Sequence, residues 1–101
     1  VSRRDREAAM RRDPVTPEVY HHVRNRDGWG CIGPAVGMPG TCSGWIDLDH
    51  IRNGGGLGLR GPSTPENLAS LCSRTHHPMK TAEARIWRPL LVAEVARREA
   101  A

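Results

Sequence analysis

The order of apolar and polar residues predicts a helix followed by a strand. Residues 16–18, Thr-Pro-Glu, have the features of a helix start: a capping hydroxyl, a proline in the first turn and an acidic side chain. Val19 and Val23 recur four residues apart, and Gly28 can end the helix. Further along, residues 45–51 alternate apolar and polar side chains, which indicates a strand.

Helices are predicted near both ends of the chain. Residues 2–12 are rich in helix formers, and the helix they predict ends before Pro14. Residues 68–72 fit a second strand as well as they fit a helical segment. Residues 75–87 predict a helix with a proline in its first turn, and residues 89–100 a final amphipathic helix. We predict one domain over residues 1–101, with an N-terminal helical extension (1–15), a core (16–87) and a C-terminal helix (88–101).

Large apolar residues are scarce for a domain of this length. Val, Ile and Leu number 18 of 101 residues and Phe is absent; we expect the three Trp residues to fill the core. Small domains with a thin core often depend on disulfides or a structural metal. Three Cys leave one thiol over in a disulfide framework, whereas zinc ligation by Cys and His needs no even number. Zinc is therefore favoured, with metal-free buried thiols or a Cys31–Cys42 disulfide as alternatives.

The spacing of Cys and His residues indicates one zinc site. Cys72 and His76 have the separation of a ligand pair at the start of a helix. Cys31 and Cys42 are farther apart, so the Gly- and Pro-rich loop between them must fold back. These four residues are the candidate ligands.

The charge of the chain points to a nucleic acid. The net charge is +4, and 14 of the 15 basic residues are Arg, whose guanidinium group suits phosphate oxygens. A genome rich in G and C is the alternative explanation for the excess of Arg. No apolar run is long enough to span a bilayer, and no apolar stretch follows the N-terminal Arg pairs, so we expect a soluble, cytoplasmic protein with no membrane partner.

A set of motifs in this order resembles the HNH (His-Asn-His) endonuclease family. The motifs are Ile46-Asp-Leu-Asp49-His50-Ile51, Gly54-Gly55-Gly56, Glu66-Asn67-Leu68, Leu71-Cys72 and His76-His77-Pro-Met-Lys80-Thr81. The similarity covers about residues 19–81 and is closest to small stand-alone members from phages or bacteria that carry a structural zinc. It implies an α+β fold: a small zinc-stapled ββα-metal finger with flanking N- and C-terminal helices.

The resemblance also implies a division of roles. His50 is expected to be the general base that deprotonates water, and Asn67 to hold the His50 ring in place. Asp49 and His77 are expected to bind the catalytic divalent ion, which would be Mg²⁺, Mn²⁺ or Ni²⁺. Cys31, Cys42, Cys72 and His76 would bind the structural Zn²⁺.

Two adjacent histidines depart from the common family pattern. We assign His76 to zinc and His77 to the catalytic ion, because His77 keeps the family spacing to Lys80 and Thr81. Neighbouring residues on a helix point about 100° apart, so they can serve different ions. The reverse assignment stays open and would exchange the two roles.

The implied activity is metal-dependent hydrolysis of DNA phosphodiester bonds, by nicking or by double-strand cleavage. Phosphate contacts are expected from basic residues in or after the finger: Arg52, Arg60, Arg74, Lys80 and Arg85. DNA is the implied partner, and for a phage-encoded member so are the terminase proteins that package the genome. One alternative is a zinc-stapled DNA-binding module without catalysis, and another is a redox or purely structural zinc protein.

Overall fold

A computed structural model describes residues 14–53 and 61–101 of the chain. The described residues form three α-helices and a two-stranded antiparallel sheet, which is a small α+β fold. The helix predicted at residues 2–12, the Gly54–Gly56 motif and Arg60 lie outside the described residues. No helix in the described ranges has the length and apolar character that a membrane crossing requires.

The first helix, α1, spans Pro17–Arg26 and confirms the prediction. The Thr16 side chain accepts a hydrogen bond from the Val19 backbone N–H, 3.2 Å away, so it caps the helix as expected. Val23 is fully buried and anchors the helix. After Asp27, Gly28 adopts a left-handed backbone with φ of 70°, which turns the chain away from the helix axis.

The sheet consists of β1, Ile46–His50, and β2, Leu68–Cys72. The two strands pair in antiparallel register from Ile46 opposite Cys72 to His50 opposite Leu68. Every residue of β2 is buried, so this strand lacks the alternation that would have distinguished it from a helical segment. Short 3-10 helices precede each strand, at Gly33–Val36 and Pro65–Asn67.

The two C-terminal helices divide at a different residue from the one predicted. Helix α2 spans His76–Ala82, and α3 spans Ala84–Ala100, so the prediction of one helix over residues 75–87 is wrong. The backbone of Glu83 leaves the helical region and separates the two. Pro89 lies inside α3 instead of at its start. Proline there removes one backbone hydrogen bond early in the helix, and the buried side chains of Leu91 and Val95 keep the helix in place.

The hydrophobic core lies between β2, the first 3-10 helix and α3. Its buried members are Ile32, Met38, Ile51, Ala69, Leu71, Leu91 and Val95, and Trp87 packs against them. The other two tryptophans do not fill the core as predicted: Trp29 is 48% exposed and Trp45 is 66% exposed. Trp29 follows the turn at Gly28 and lies over the Arg24 guanidinium, 5.0 Å from it. The Trp45 indole N–H donates to Asp47, 2.9 Å away.

A buried ion pair at the end of α1 connects this helix to the start of β2. Arg26 donates to the carbonyl oxygens of Pro65 and Leu68 at 2.7 and 2.6 Å, and to Asp27 at 2.8 Å. Asp27, whose side chain is fully buried, also accepts from the Ser70 N–H at 3.0 Å. The pair therefore fixes the segment that enters β2.

Candidate functional site

Three cysteines and one histidine converge where β2 meets α2. Cys72 ends β2 and His76 begins α2, so a tight turn brings both to one place. Cys31 precedes the first 3-10 helix, and Cys42 lies in the loop before β1. The ligand atoms of the four residues lie within 4.8 Å of one another, and all three thiols, each among the described residues, are free of disulfides. This group could hold a metal ion such as zinc.

His76 presents its Nδ1 atom to the cysteines. Nδ1 lies 3.3 Å from the sulfurs of Cys31 and Cys72 and 3.5 Å from that of Cys42. A tetrahedral zinc, with bonds of about 2.3 Å to sulfur and about 2.0 Å to nitrogen, places these atoms roughly 3.5 Å apart. The other nitrogen, Nε2, lies 3.0 Å from the Pro39 carbonyl oxygen, so a proton there leaves Nδ1 as the ligand.

Gly33 permits the close approach of the His76 ring. A Cβ atom at residue 33 would lie 2.7 Å from His76 Cγ and 2.9 Å from its Nδ1. Contacts this short do not occur between real atoms, so any side chain there would push the ring from the cysteines. The glycine is therefore part of the metal site, although it offers no ligand.

Backbone amides make the sulfurs unequal in acidity. Burial disfavours the Cys72 thiolate, but backbone hydrogen bonds, first from His76, outweigh burial and lower the pKa of Cys72 to about 6. Burial raises the pKa of Cys31 to about 12. Ionising the Cys31 thiol at neutral pH therefore requires a nearby cation, which a bound zinc would supply.

A second group of ionisable residues lies between β1 and α2. Asp47 and Asp49 are two residues apart on the strand, so both project from the same face. His77 Nδ1 is 2.7 Å from Asp47 Oδ2, and His77 Nε2 is 3.3 Å from Asp49 Oδ1. Lys80 Nζ is 3.1 Å from Asp49 Oδ2 and donates to the His50 carbonyl oxygen at 3.0 Å.

The spacing of Asp49 and His77 would suit two ligands of a divalent cation. Adjacent ligands of an octahedral ion with bonds of about 2.1 Å are roughly 3 Å apart, close to the separation of Asp49 Oδ1 and His77 Nε2. Asp49 Oδ2 is buried, and its charged neighbour is the Lys80 ammonium, 3.1 Å away. Hydrogen bonding to Asp49, opposed by burial and aided by Asp47, raises the pKa of His77 to about 9. The carboxylates therefore favour positive charge at this ring, whether it is a proton or an ion.

His50 and Asn67 lie next to this group, but their contacts differ from the prediction. His50 Nε2 is 3.0 Å from the Ser63 hydroxyl. The Asn67 side chain bonds backbone atoms instead of the His50 ring: its oxygen accepts from the Arg52 N–H, and its amide donates to the Arg52 and Pro62 carbonyls. Asn67 thus joins the two ends of the segment between β1 and β2. Its contact at the returning end, Pro62, is one residue before Ser63.

Gly61 permits the close approach of the two ends of this segment. A Cβ atom at residue 61 would lie 1.8 Å from the Arg52 carbonyl oxygen and 2.7 Å from Asn67 Nδ2. The chain that leaves at Arg52 and returns at Gly61 is therefore closed at its base by direct backbone contact.

The adjacent histidines face different clusters. His76 is fully buried beside the cysteines, whereas the His77 side chain is 32% exposed and lies beside the two aspartates. The angle between neighbouring side chains on a helix accounts for the division. The structure therefore brings His76 to the cysteines, as the first assignment expected, and the assignment of His77 to a catalytic ion stays a prediction.

The predicted phosphate-contacting residues fall into two groups. Arg52, Arg74 and Arg85 are exposed, as a DNA contact requires. Lys80 is 4% exposed and is paired with Asp49, so the prediction that it contacts DNA is wrong. Its burial follows from its place one turn after His77, on the side of α2 that faces β1.

Sequence reasoning missed Asp47 and Ser63. Asp47 had a usable signal, because strand residues two apart share a face and Asp49 was already a candidate ligand. Ser63 had none, because it reaches His50 only through the closure of a long connecting segment.

Comparison of the chain with protein-family models, with curated proteins and with solved structures finds no match.

Proposed function

We propose that this chain is a metal-dependent endonuclease of the HNH type that hydrolyses DNA phosphodiester bonds. The observation that supports it best is the proximity of Asp49 Oδ1 and His77 Nε2, 3.3 Å apart, with His50 next to Asp49 on β1. Two strands followed by a helix carry these residues, in the order of a ββα unit. The cysteine cluster beside this unit is proposed to hold Zn²⁺.

Each side chain then has a distinct task. His50 accepts a proton from the attacking water, because neutral imidazole is a suitable base near neutral pH. The Ser63 hydroxyl restrains the His50 ring, and Asn67 keeps the backbone beside Ser63 in place. Asp49 and His77 would hold Mg²⁺, Mn²⁺ or Ni²⁺, which supplies charge neutralisation at the phosphate. Lys80 orients Asp49 by pairing with it.

DNA is the substrate because the surface carries exposed arginines and the chain is basic. Arg52, Arg74 and Arg85 are exposed, and the net charge is +4. Such side chains contact backbone phosphates and position the duplex without reading its sequence. Specificity would have to come from other contacts.

A DNA-binding module without catalysis is the second candidate. It uses the same exposed arginines and the same cysteine cluster, but it gives no reason for the Asp49–His77 pair. Nicking activity separates the two functions, since a binding module has none.

The test is nicking of supercoiled plasmid by zinc-loaded protein in Mg²⁺, Mn²⁺ or Ni²⁺. Replacing His50 by Ala should lower the rate by about 10²–10⁴ and leave the zinc content unchanged. His21→Ala, at an exposed histidine of α1, is the matched control and should cut like the wild type. Wild-type protein that binds DNA but nicks it with none of these ions would favour the binding module.

A further inference from the structure

We propose that Asp47 is a positioning residue that fixes the tautomer and the orientation of His77, and that Trp45 holds Asp47 for this purpose. The role of Asp47 rests on the proposed ion site of Asp49 and His77. Asp47 would not itself bind the ion, because it meets the opposite nitrogen of the imidazole ring.

The two aspartates contact different nitrogens of the His77 ring. Asp47 Oδ2 is 2.7 Å from Nδ1, and Asp49 Oδ1 is 3.3 Å from Nε2. An ionised carboxylate only accepts hydrogen bonds, so in the neutral ring the shorter contact places the proton on Nδ1. Nε2 then directs its lone pair toward Asp49, where the ion would sit. A carboxylate behind a metal-binding histidine fixes the ring and makes the ligand nitrogen more basic.

The neighbouring histidine is fixed in the opposite sense. His76 turns Nε2 to the Pro39 carbonyl and Nδ1 to the cysteines. Consecutive residues of α2 thus use different ring nitrogens, each selected by the acceptor on the far side of the ring. Asp47 therefore accepts from the non-ligand nitrogen of His77, as the Pro39 carbonyl accepts from the non-ligand nitrogen of His76.

Trp45 accounts for the orientation of Asp47. Its indole N–H donates to Asp47 Oδ1 at 2.9 Å, while Oδ2 takes the contact from His77. Each carboxylate oxygen therefore has one partner, and the side chain has a defined rotamer. This contact explains why a tryptophan that is 66% exposed lies at the start of β1.

The first experiment measures Mn²⁺ binding to zinc-loaded protein by electron paramagnetic resonance. Asp47→Asn keeps the shape but not the charge, and should weaken Mn²⁺ binding by about 10–100-fold. Trp45→Phe, which removes the indole donor and keeps an aromatic ring, should weaken it less. Glu18→Gln, at an exposed acid of α1, controls for the loss of one negative charge and should bind like the wild type. Zinc content and melting curves identify any variant that misfolds.

The second experiment reads the His77 ring directly by ¹⁵N NMR, with a second equivalent of diamagnetic Zn²⁺ as the probe ion. The wild type should show a proton on Nδ1, and Asp47→Asn a mixture of tautomers. A neutral His77 ring with its proton on Nε2 in the ion-bound wild type, or equal Mn²⁺ affinity for Asp47→Asn and Glu18→Gln, would overturn the role of Asp47.

The outcomes separate this role from the proposed function. Protein that binds Mn²⁺ with the expected dependence on Asp47 but never nicks DNA would refute the nuclease and keep the role of Asp47. If Asp47→Asn nicks DNA as fast as the wild type, the role of Asp47 is refuted and the nuclease is kept. Wild type that binds no Mn²⁺ would refute the role of Asp47, and it would refute the nuclease as well if the protein also failed to nick DNA in Mg²⁺ and in Ni²⁺.

Discussion

Replacing Gly33 by Ala should damage the cysteine cluster without touching a ligand. The new Cβ would lie 2.7 Å from His76 Cγ, so the ring must retreat by about 0.8 Å to reach an ordinary contact distance. Metal–ligand distances tolerate only about 0.2 Å, so Nδ1 would leave the ion. Structural zinc contributes about 10–16 kcal/mol through four ligands, so losing one costs about 3 kcal/mol, or roughly a hundredfold in zinc affinity.

The assay is competition for zinc against a chromophoric chelator, with the visible spectrum of the Co²⁺-substituted protein as a readout of coordination. Gly30→Ala is the matched control, because a Cβ at residue 30 has no atom within 4 Å and the backbone there is ordinary. Gly33→Ala should also have no further effect in a His76→Ala background, since it acts only through that ring. If Gly33→Ala holds zinc within threefold of Gly30→Ala, the proposed coordination through Nδ1 is refuted.

Two further predictions concern stability. Asp27→Asn places an amide against the Arg26 guanidinium and should cost about 3–5 kcal/mol in urea denaturation, because both side chains are buried. Arg97→Gln, at a side chain 67% exposed, should cost less than about 1 kcal/mol. Equal costs for Asp27→Asn and Arg97→Gln would contradict the stabilising role of the buried Arg26–Asp27 pair. The raised pKa of His77, about 9 against an ordinary 6.5, stabilises the fold fully below pH 6.5, and this stabilisation is lost as the pH rises through 9. Without added divalent ions, the free energy of unfolding should fall by about 1–2 kcal/mol across that window, after allowance for screening by solvent. An equal fall in His77→Gln would refute this origin.

Local sequence patterns predicted the elements whose signals are local. Thr16 and the spacing of Val19 and Val23 located α1, and the alternation along residues 45–51 located β1. The strand at Leu68–Cys72 stayed ambiguous because it is buried on both faces, so pairing with β1 decides its conformation. The boundary between α2 and α3 was misplaced because Pro89 was taken as a helix start, although tertiary packing retains it within α3.

The candidate site was predictable in its residue types but not in its contacts. The spacing of Cys72 and His76 correctly indicated a cluster that could hold a metal, and the long loop brings Cys31 and Cys42 to it. The burial of Lys80 could not be predicted from its spacing in the sequence. Whether a lysine reaches solvent or a buried carboxylate depends on the neighbour across the fold, here Asp49.

The segment between Arg52 and Gly61 has both of its ends fixed to the rest of the fold. Its two ends are held together by Asn67 and by the backbone contact at Gly61. Doubling the length of a flexible loop costs only about 0.6 kcal/mol once its ends are fixed. Insertions or replacements in this segment would therefore leave β1, β2 and the residues they carry in register. The connection beside His50 is therefore a place where the length of the chain could change while the paired strands keep their positions.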